Sequence, residues 1–313
     1  MTQHGLMNGR PYVEMRMRKA FLLGLAGSFF FAFTFVLNRS MNLSGGHWIW
    51  SASLRYFFTL PLLALIVMRR RGFESVHRAI ANRPREWLLW STVGFGLFYA
   101  PICYAASHGE TWLIAASWQT TIVMGILLTP LFGKRIPLKN LLASGVILAG
   151  VFLTQGSGAK SFEVGGLGLT LIPILVAAVA YPLGNRKIMA LAGDLNTIER
   201  TYGMTLCSMP FWVILALVGI PVAGPPAAPQ LIQTFGVALT SGVVATLLFF
   251  KATDLVKTNQ KQLAVVESTQ AGELVFALAG GVLLLGDAAP SPAGFIGIAV
   301  IVCGMVLNSL LSA

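Results

Sequence analysis

Acidic side chains are scarce in this chain. Its 313 residues include eleven Asp and Glu against twenty-two Lys and Arg, and charged residues make up only 11% of the whole, where soluble domains carry about a quarter. So little charge cannot solvate a globular surface. A hydrophobic content of 56% and a mean hydropathy of +0.75 instead define an integral membrane protein. The net charge of +11 does not mark a nucleic-acid partner, because the basic residues sit in short loops between apolar runs and not on one solvated face. Cysteine is also sparse. Cys103, Cys207 and Cys303 lie in separate apolar runs with no CxxC or Cys/His spacing, so neither a disulfide framework nor a metal site is expected. The four histidines, His4, His47, His77 and His108, fall in tails or near the ends of apolar runs. HExxH, GxSxG and Walker A sequences are absent, which leaves no motif for a metalloprotease, a serine hydrolase or an ATP-driven pump, and no cofactor is expected.

Long apolar runs are what the chain has. A membrane helix needs about 20 mainly apolar residues to cross about 30 Å of hydrocarbon. Ten segments meet this, at roughly 20–38, 48–68, 87–107, 111–133, 140–159, 164–185, 202–222, 231–250, 262–286 and 290–312. The expected fold is all-α and membrane-embedded, with no room for a soluble domain between spans. The first run follows Arg16, Arg18 and Lys19 but shows no small-residue cleavage pattern, so it reads as an uncleaved span. All Lys and Arg except Arg39, Arg55 and Lys160 fall on the side of the N-terminus. Retention of basic loops in the cytoplasm then places both termini inside, most simply in a bacterial cytoplasmic membrane.

Two stretches end apolar runs in the same way. VLNRSM at 36–41 and LGNRKIM at 183–189 place Asn38-Arg39 and Asn185-Arg186 at a separation of 147 residues. Further correspondences follow in order: Pro61 with Pro210, PLFGKRIP with LLLGDAAP, and SGVILAGVFL with IAVIVCGMVL. Five spans separate the members of each pair, so the copies face opposite sides of the membrane. The expected organisation is a cytoplasmic tail at 1–19, a five-helix repeat over 20–159 and a second, inverted, over 160–313. Such halves can exchange conformations around a midplane site, the geometry of alternating access.

Ten spans in two units, the opening GLAGSFFFAFTFVLNRSM, and the unit-closing SGVILAGVFLTQG and GIAVIVCGMVLNS resemble the drug/metabolite transporter superfamily, and within it the EamA-type and multidrug-efflux members. That resemblance implies a central cavity lined chiefly by spans 1, 3, 4, 6, 8 and 9, with spans 5 and 10 at the periphery. The small multidrug exporters of the superfamily carry an essential acid in the first span. Span 1 here has none, so a proton site is expected elsewhere.

Charged groups in hydrocarbon cost several kcal/mol and so tend to face cavities or partners. The only acids inside spans are Glu267 and Glu273, both in span 9, in AVVESTQAGELVF. On a continuous helix they share a polar stripe with Gln270. They are the candidates for proton coupling, or else for a structural ion pair with Arg55 or Lys251. Arg55 in span 2 is the ion-pair candidate, and it is also able to bind an anion or to snorkel to the interface. Asp254 and Lys251 read as a solvated pair at a span end. The candidate substrate wall comprises Ser28, Phe31, Phe35 and Asn38 in span 1, Tyr99 and Tyr104 in span 3, Trp118 and Gln119 in span 4, Tyr181 and Asn185 in span 6, and Gln270. Aromatic faces with hydrogen-bonding edges suit amphipathic organic molecules.

Trp48, Trp87 and Trp112 lie near span ends and read as interfacial belt residues. Gly145-x-x-x-Ala149 and Ala293-x-x-x-Gly297 read as helix-packing pairs, and Pro61, Pro101, Pro130, Pro173, Pro182 and Pro210 as possible hinges. The function these features favour is a secondary transporter that exports a small organic molecule, an amphipathic drug or amino-acid-like metabolite, by proton antiport and alternating access, acting as a monomer or homodimer in the lipid bilayer. A nucleotide-sugar or phosphate-ester exchanger needs more cavity cations than Arg55 supplies. A membrane lipid enzyme lacks its motifs, and a non-transporting scaffold leaves the polar stripe without a task.

Overall fold

A computed structural model describes residues 10–133, 135–156 and 164–312, without the side chains of 10–13, 164–167 and 260. Lys134 and Lys160, which enter the charge pattern, lie outside the described residues, as does the end of the fifth predicted span. Among the described residues every regular element is helical. Nine helices are long and apolar enough to cross a membrane: α1 (Glu14–Leu43 of a helix that begins at Arg10), α2 (Trp48–Arg69), α3 (Pro84–Ala106), α5 (Leu138–Gln155), α6 (Gly168–Leu191 of a helix that begins at Val164), α7 (Thr197–Ala223), α8 (Ala228–Val256), α9 (Lys261–Leu285) and α10 (Pro292–Leu311). The intervening apolar helix, α4 (Thr111–Leu127), is shorter. Between α2 and α3 a short amphipathic helix, Phe73–Asn82, seats Val76 against the bundle.

The helices begin where the sequence supplies acceptors for their free N–H groups. Asn196 and Glu199 form a reciprocal capping box at α7, and Ser291 caps α10 with Pro292 at its first position. Gly133 and Gly286 both adopt left-handed backbone (φ +71° and +69°) where α4 and α9 have ended. Only glycine takes that conformation freely, and these are the matched glycines of PLFGKRIP and LLLGDAAP. The outer surface carries Phe152, Leu283, Leu284 and Ile232, each more than 70% exposed. A shell that apolar is a surface for lipid.

Contacts are paired across the bundle. α1 packs on α8 and α9, and α6 packs on α3 and α4; α2 meets α7, α4 meets α9, and α5 lies against α10. The last contact is close because its glycines are. A β-carbon on Gly150 would stand 2.8 Å from the Ile301 nitrogen, and one on Gly304 would stand 3.0 Å from the Ile147 nitrogen. The packing pairs expected from spacing are replaced by these positions, since Gly145 has nothing within 4 Å and only Gly297 of the second pair is in the contact.

Most of the prolines lie away from the irregularities. Pro61, Pro101, Pro173, Pro182 and Pro210 all lie inside α-helical segments, Pro101 just after a π-helical turn, and Pro130 lies in a short 3-10 turn, Thr129–Phe132. The α-helical ladder is interrupted instead by π-helical turns at Thr92–Gly96 in α3 and Ala238–Val244 in α8, and by breaks at Gln119 in α4 and at Thr269 and Gln270 in α9. Two tryptophans also depart from expectation. Trp87 and Trp112 are fully buried, the first in a cluster with Val76, Ile188 and Tyr202, the second with its indole N–H donating to the Ala288 carbonyl at 2.9 Å. Trp48 remains near its helix end, edge-on to Tyr104.

Candidate functional site

The centre of the bundle holds two layers of polar and aromatic groups. In the first, the Asn38 amide donates to the Tyr99 hydroxyl at 3.0 Å, joining α1 to α3, and the Arg55 guanidinium lies over the Tyr99 ring, 4.0 Å from its centroid. Tyr56, the next residue of α2, stacks on Trp212 of α7 at 4.2 Å. Arg55 makes no ion pair with any described residue, and its Nη1 is closed to solvent with no hydrogen-bond acceptor. In a membrane interior such an arrangement is costly and points to a functional position.

In the second layer Phe98 of α3 contacts both Trp118 of α4 (5.1 Å) and Tyr181 of α6 (4.7 Å), and Trp118 meets Tyr181 edge to face at 5.7 Å. Glu273 of α9 belongs here. Its side chain is half-buried, makes no hydrogen bond or ion pair with a described residue, and lies, like Arg55, within electrostatic reach of Tyr181. Tyr181 touches the core aromatics yet is 38% exposed.

The two Asn-Arg endings lie in different surroundings. At one end Asp287, in the loop after α9, lies 3.4 Å from Arg39 and accepts the backbone N–H of Thr111 at 2.8 Å. Asn38, Met41, Tyr99 and Trp112 around it are at most 3% exposed. At the other end Asn185 turns back to its own Tyr181 carbonyl at 2.8 Å, and Arg186 has an aromatic neighbour, Phe132, at 5.7 Å. The repeated Asn-Arg endings therefore make different bonds: the first crosses to other elements, while Asn185 bonds within its own helix.

The remaining sequence candidates separate into groups. Ser28 donates to the Thr269 carbonyl at 2.6 Å, occupying an acceptor at the break in α9. Phe35 is core, Phe31 packs against Phe249, and Tyr104 sits at a helix end between Trp48 and His108. Gln119 is buried at the break in α4 and bonds the Ala115 carbonyl. Gln270 marks the break in α9, and the stripe it was expected to carry is divided there, since Glu267 is exposed while Glu273 is half-buried. Asp254 pairs with Lys257 at 3.0 Å, and not with Lys251. Sequence reasoning passed over Phe98, Tyr56, Trp212 and Asp287. Asp287 alone had a signal, as an acid on the side of the membrane where Arg39 stands among few cations. A separate hollow of about 460 Å³, lined by Glu14, Met17, Arg18, Phe21 and Gln262, shares no residue with these layers.

Comparisons with known proteins agree with this architecture. The chain is 47% identical over 308 residues to "Uncharacterized protein YjlA" of Bacillus subtilis (strain 168), covering 94% of this chain and 95% of that one. It is 45% identical over 266 residues to an "Uncharacterized 42.1 kDa protein in intracellular alkaline protease 3'region" of Shouchella clausii, covering 82% and 70%. A crystal structure at 16% identity superposes with a TM-score of 0.63 over 94% of this chain and 98% of the other, a likeness of fold. The family described as "EmrE: Putative multidrug resistance efflux transporter" matches residues 18–313, and the chain belongs to that family, within the drug/metabolite transporter superfamily.

Proposed function

We propose that this protein is a secondary transporter that exports a small amphipathic organic molecule in exchange for protons, with Glu273 as the proton-exchanging group. The observation that carries the reading is Glu273 itself, a half-buried acid at the middle of α9 with no hydrogen-bond or ion-pair partner among the described residues. A carboxyl so placed is able to trade a proton for a ligand, because each alters the free energy of binding the other.

The alternating-access part of the proposal reads the chain as two inverted five-helix repeats, a reading that the pairing of helix contacts supports. Exchanging the halves 20–159 and 160–313 turns the contact of α1 with α8 into that of α6 with α3, and α1 with α9 into α6 with α4; it maps α2 with α7, α4 with α9 and α5 with α10 onto themselves. The same exchange takes the Gly150–Ile301 contact to Gly304–Ile147. With both termini taken as cytoplasmic from the basic loops, the buried Arg39–Asp287 contact would lie on the outer side and Asn185 on the inner side.

The test is flux in proteoliposomes under an imposed pH gradient. Gradient-driven export by the wild type and its loss in Glu273→Gln, with the variant still folded, are the expected results. Wild-type gradient dependence in Glu273→Gln would eliminate Glu273 as the obligatory proton site.

A further inference from the structure

The hollow between the start of α1 and the first turn of α9 belongs to neither layer of the central site. It has a volume of about 460 Å³, opens to the surface of the bundle, and is lined by Glu14, Met17, Arg18, Phe21 and Gln262. The first four recur at three- and four-residue spacing, so they share one face of α1; Gln262 supplies the facing wall. Met17 packs on a cluster of Ala20, Ala252, Val256 and Val266, which fixes the start of α1 against α8 and α9. Phe21 and its neighbour Leu22 are 41% and 54% exposed, and the apolar run begins at Ala20. The hollow therefore straddles the boundary between headgroups and acyl chains. Glu14 and Arg18 have the same four-residue spacing as Glu74 and Arg78. The latter pair closes to 2.6 Å, whereas Glu14 and Arg18 form no ion pair with each other or with any other described residue. Arg16 and Lys19 do not line the hollow, so α1 presents it with one anion and one cation, in a fixed order. From the helix end toward the hydrocarbon that order is Glu14, Arg18, Phe21, over about 10 Å of helical rise.

We propose that this hollow holds a single phospholipid with a phosphoethanolamine headgroup: Arg18 donates to its phosphate, Glu14 accepts from its ammonium, and Met17 and Phe21 flank the upper part of an acyl chain. Such a lipid presents acyl chain, phosphate and terminal amine in that order outward from the hydrocarbon. α1 presents Phe21, Arg18 and Glu14 in the same order, so each part of the lipid meets its complement. A phosphatidylglycerol satisfies Arg18 but brings no cation to Glu14. A phosphatidylcholine brings the cation without an N–H to donate. Soluble phosphoethanolamine carries both charges but buries nothing against Phe21 and Met17. The site shares no residue with the central layers, and it stands whether or not Glu273 exchanges protons.

Native mass spectrometry of the full-length protein in detergent, with equimolar dioleoyl phosphatidylethanolamine, phosphatidylglycerol and phosphatidylcholine, reads the occupancy directly. Phosphatidylethanolamine is expected to occupy the wild type at least about fivefold more than either competitor, since each competitor forfeits a charge-assisted contact. Glu14→Gln should erase that preference and leave phospholipid binding in place. Arg18→Gln should lower the binding of all three lipids alike, because the phosphate is common to them. Exchanging the two residues, Glu14→Arg with Arg18→Glu, keeps the net charge and reverses the order, and should also erase the preference with the melting temperature unchanged. Arg16→Gln and Lys19→Gln should keep it. Glu14→Gln and the exchanged pair decide the matter even where Arg18→Gln folds poorly. Equal or tighter wild-type binding of phosphatidylglycerol or phosphatidylcholine overturns the proposal. So does a preference that survives in Glu14→Gln or in the exchanged pair, or displacement of the lipid by an equal concentration of soluble phosphoethanolamine.

Discussion

The carboxylate of Asp287 holds two helices at once, with one oxygen 3.4 Å from Arg39 Nε at the end of α1 and the other accepting the Thr111 N–H at 2.8 Å at the start of α4. Its side chain is 2% exposed, against 19% for Arg39, so this pair is screened far less than the surface pairs of Glu74 with Arg78 or Asp254 with Lys257. Asp287→Asn keeps an acceptor for Thr111 but loses the charge. A loss of about 1–3 kcal/mol is expected in detergent unfolding, with a coupling to Arg39→Ala above about 1 kcal/mol in a double-mutant cycle. Additive effects of the two substitutions would mean that the pair contributes nothing as a pair.

Packing of α5 on α10 makes a sharper test of the structure than any average stability. Gly150→Leu should destabilise by about 3 kcal/mol, because the new side chain meets the backbone of α10. Gly145→Leu, one and a half turns away on the exposed face, should stay within about 0.5 kcal/mol of the wild type. Thermal unfolding of the two variants side by side is the measurement. Equal melting temperatures would contradict the glycine contact.

Aromatic residues divide into fully buried packing groups and those of the proposed site. Trp112 is 1% exposed and hydrogen-bonded, so Trp112→Ala should cost about 3–5 kcal/mol of stability. Tyr181, at 38% exposure, has less packing to lose. Tyr181→Ala should weaken binding of an aromatic ligand several-fold, roughly 1 kcal/mol, with little change in melting temperature. Calorimetric titration and thermal unfolding on the same preparations separate the two effects, and unchanged affinity would exclude Tyr181 from the wall.

Orientation is open to direct chemistry. In a background without Cys103, Cys207 and Cys303, a cysteine at Arg78 should resist an impermeant thiol reagent in whole cells and one at Ala227 should react, following the basic loops inward. The reverse pattern would invert the assigned topology, and with it the side from which the site loads.

The spans were legible because hydrocarbon thickness and the location of basic residues act on each segment separately. Asn38, Arg55, Tyr99, Trp118, Tyr181 and Glu273 were legible as polar or aromatic residues in segments that must justify them. What sequence did not reveal was relation between helices. Nothing local announces that Asn38 bonds Tyr99, or that Tyr56 stacks on Trp212. The stripe of Glu267, Gln270 and Glu273 failed for a particular reason: helical spacing assumes an unbroken ladder, and α9 breaks at Thr269 and Gln270. The tryptophans failed because nearness to a span end was read as nearness to lipid, while Trp87 and Trp112 are covered by neighbouring elements.

Where α3 and α6 meet, Gly184 and Gly94 lie backbone against backbone. A β-carbon on Gly184 would stand 2.7 Å from the Trp90 carbonyl and still nearer to Gly94 itself, within the π-helical turn. No side chain is seated in a socket at that point, so turning one helix upon the other withdraws nothing. On the proposed alternating-access reading the contact would serve as a smooth bearing, and the Arg39–Asp287 pair as a latch at the rim of the bundle, remote from Glu273.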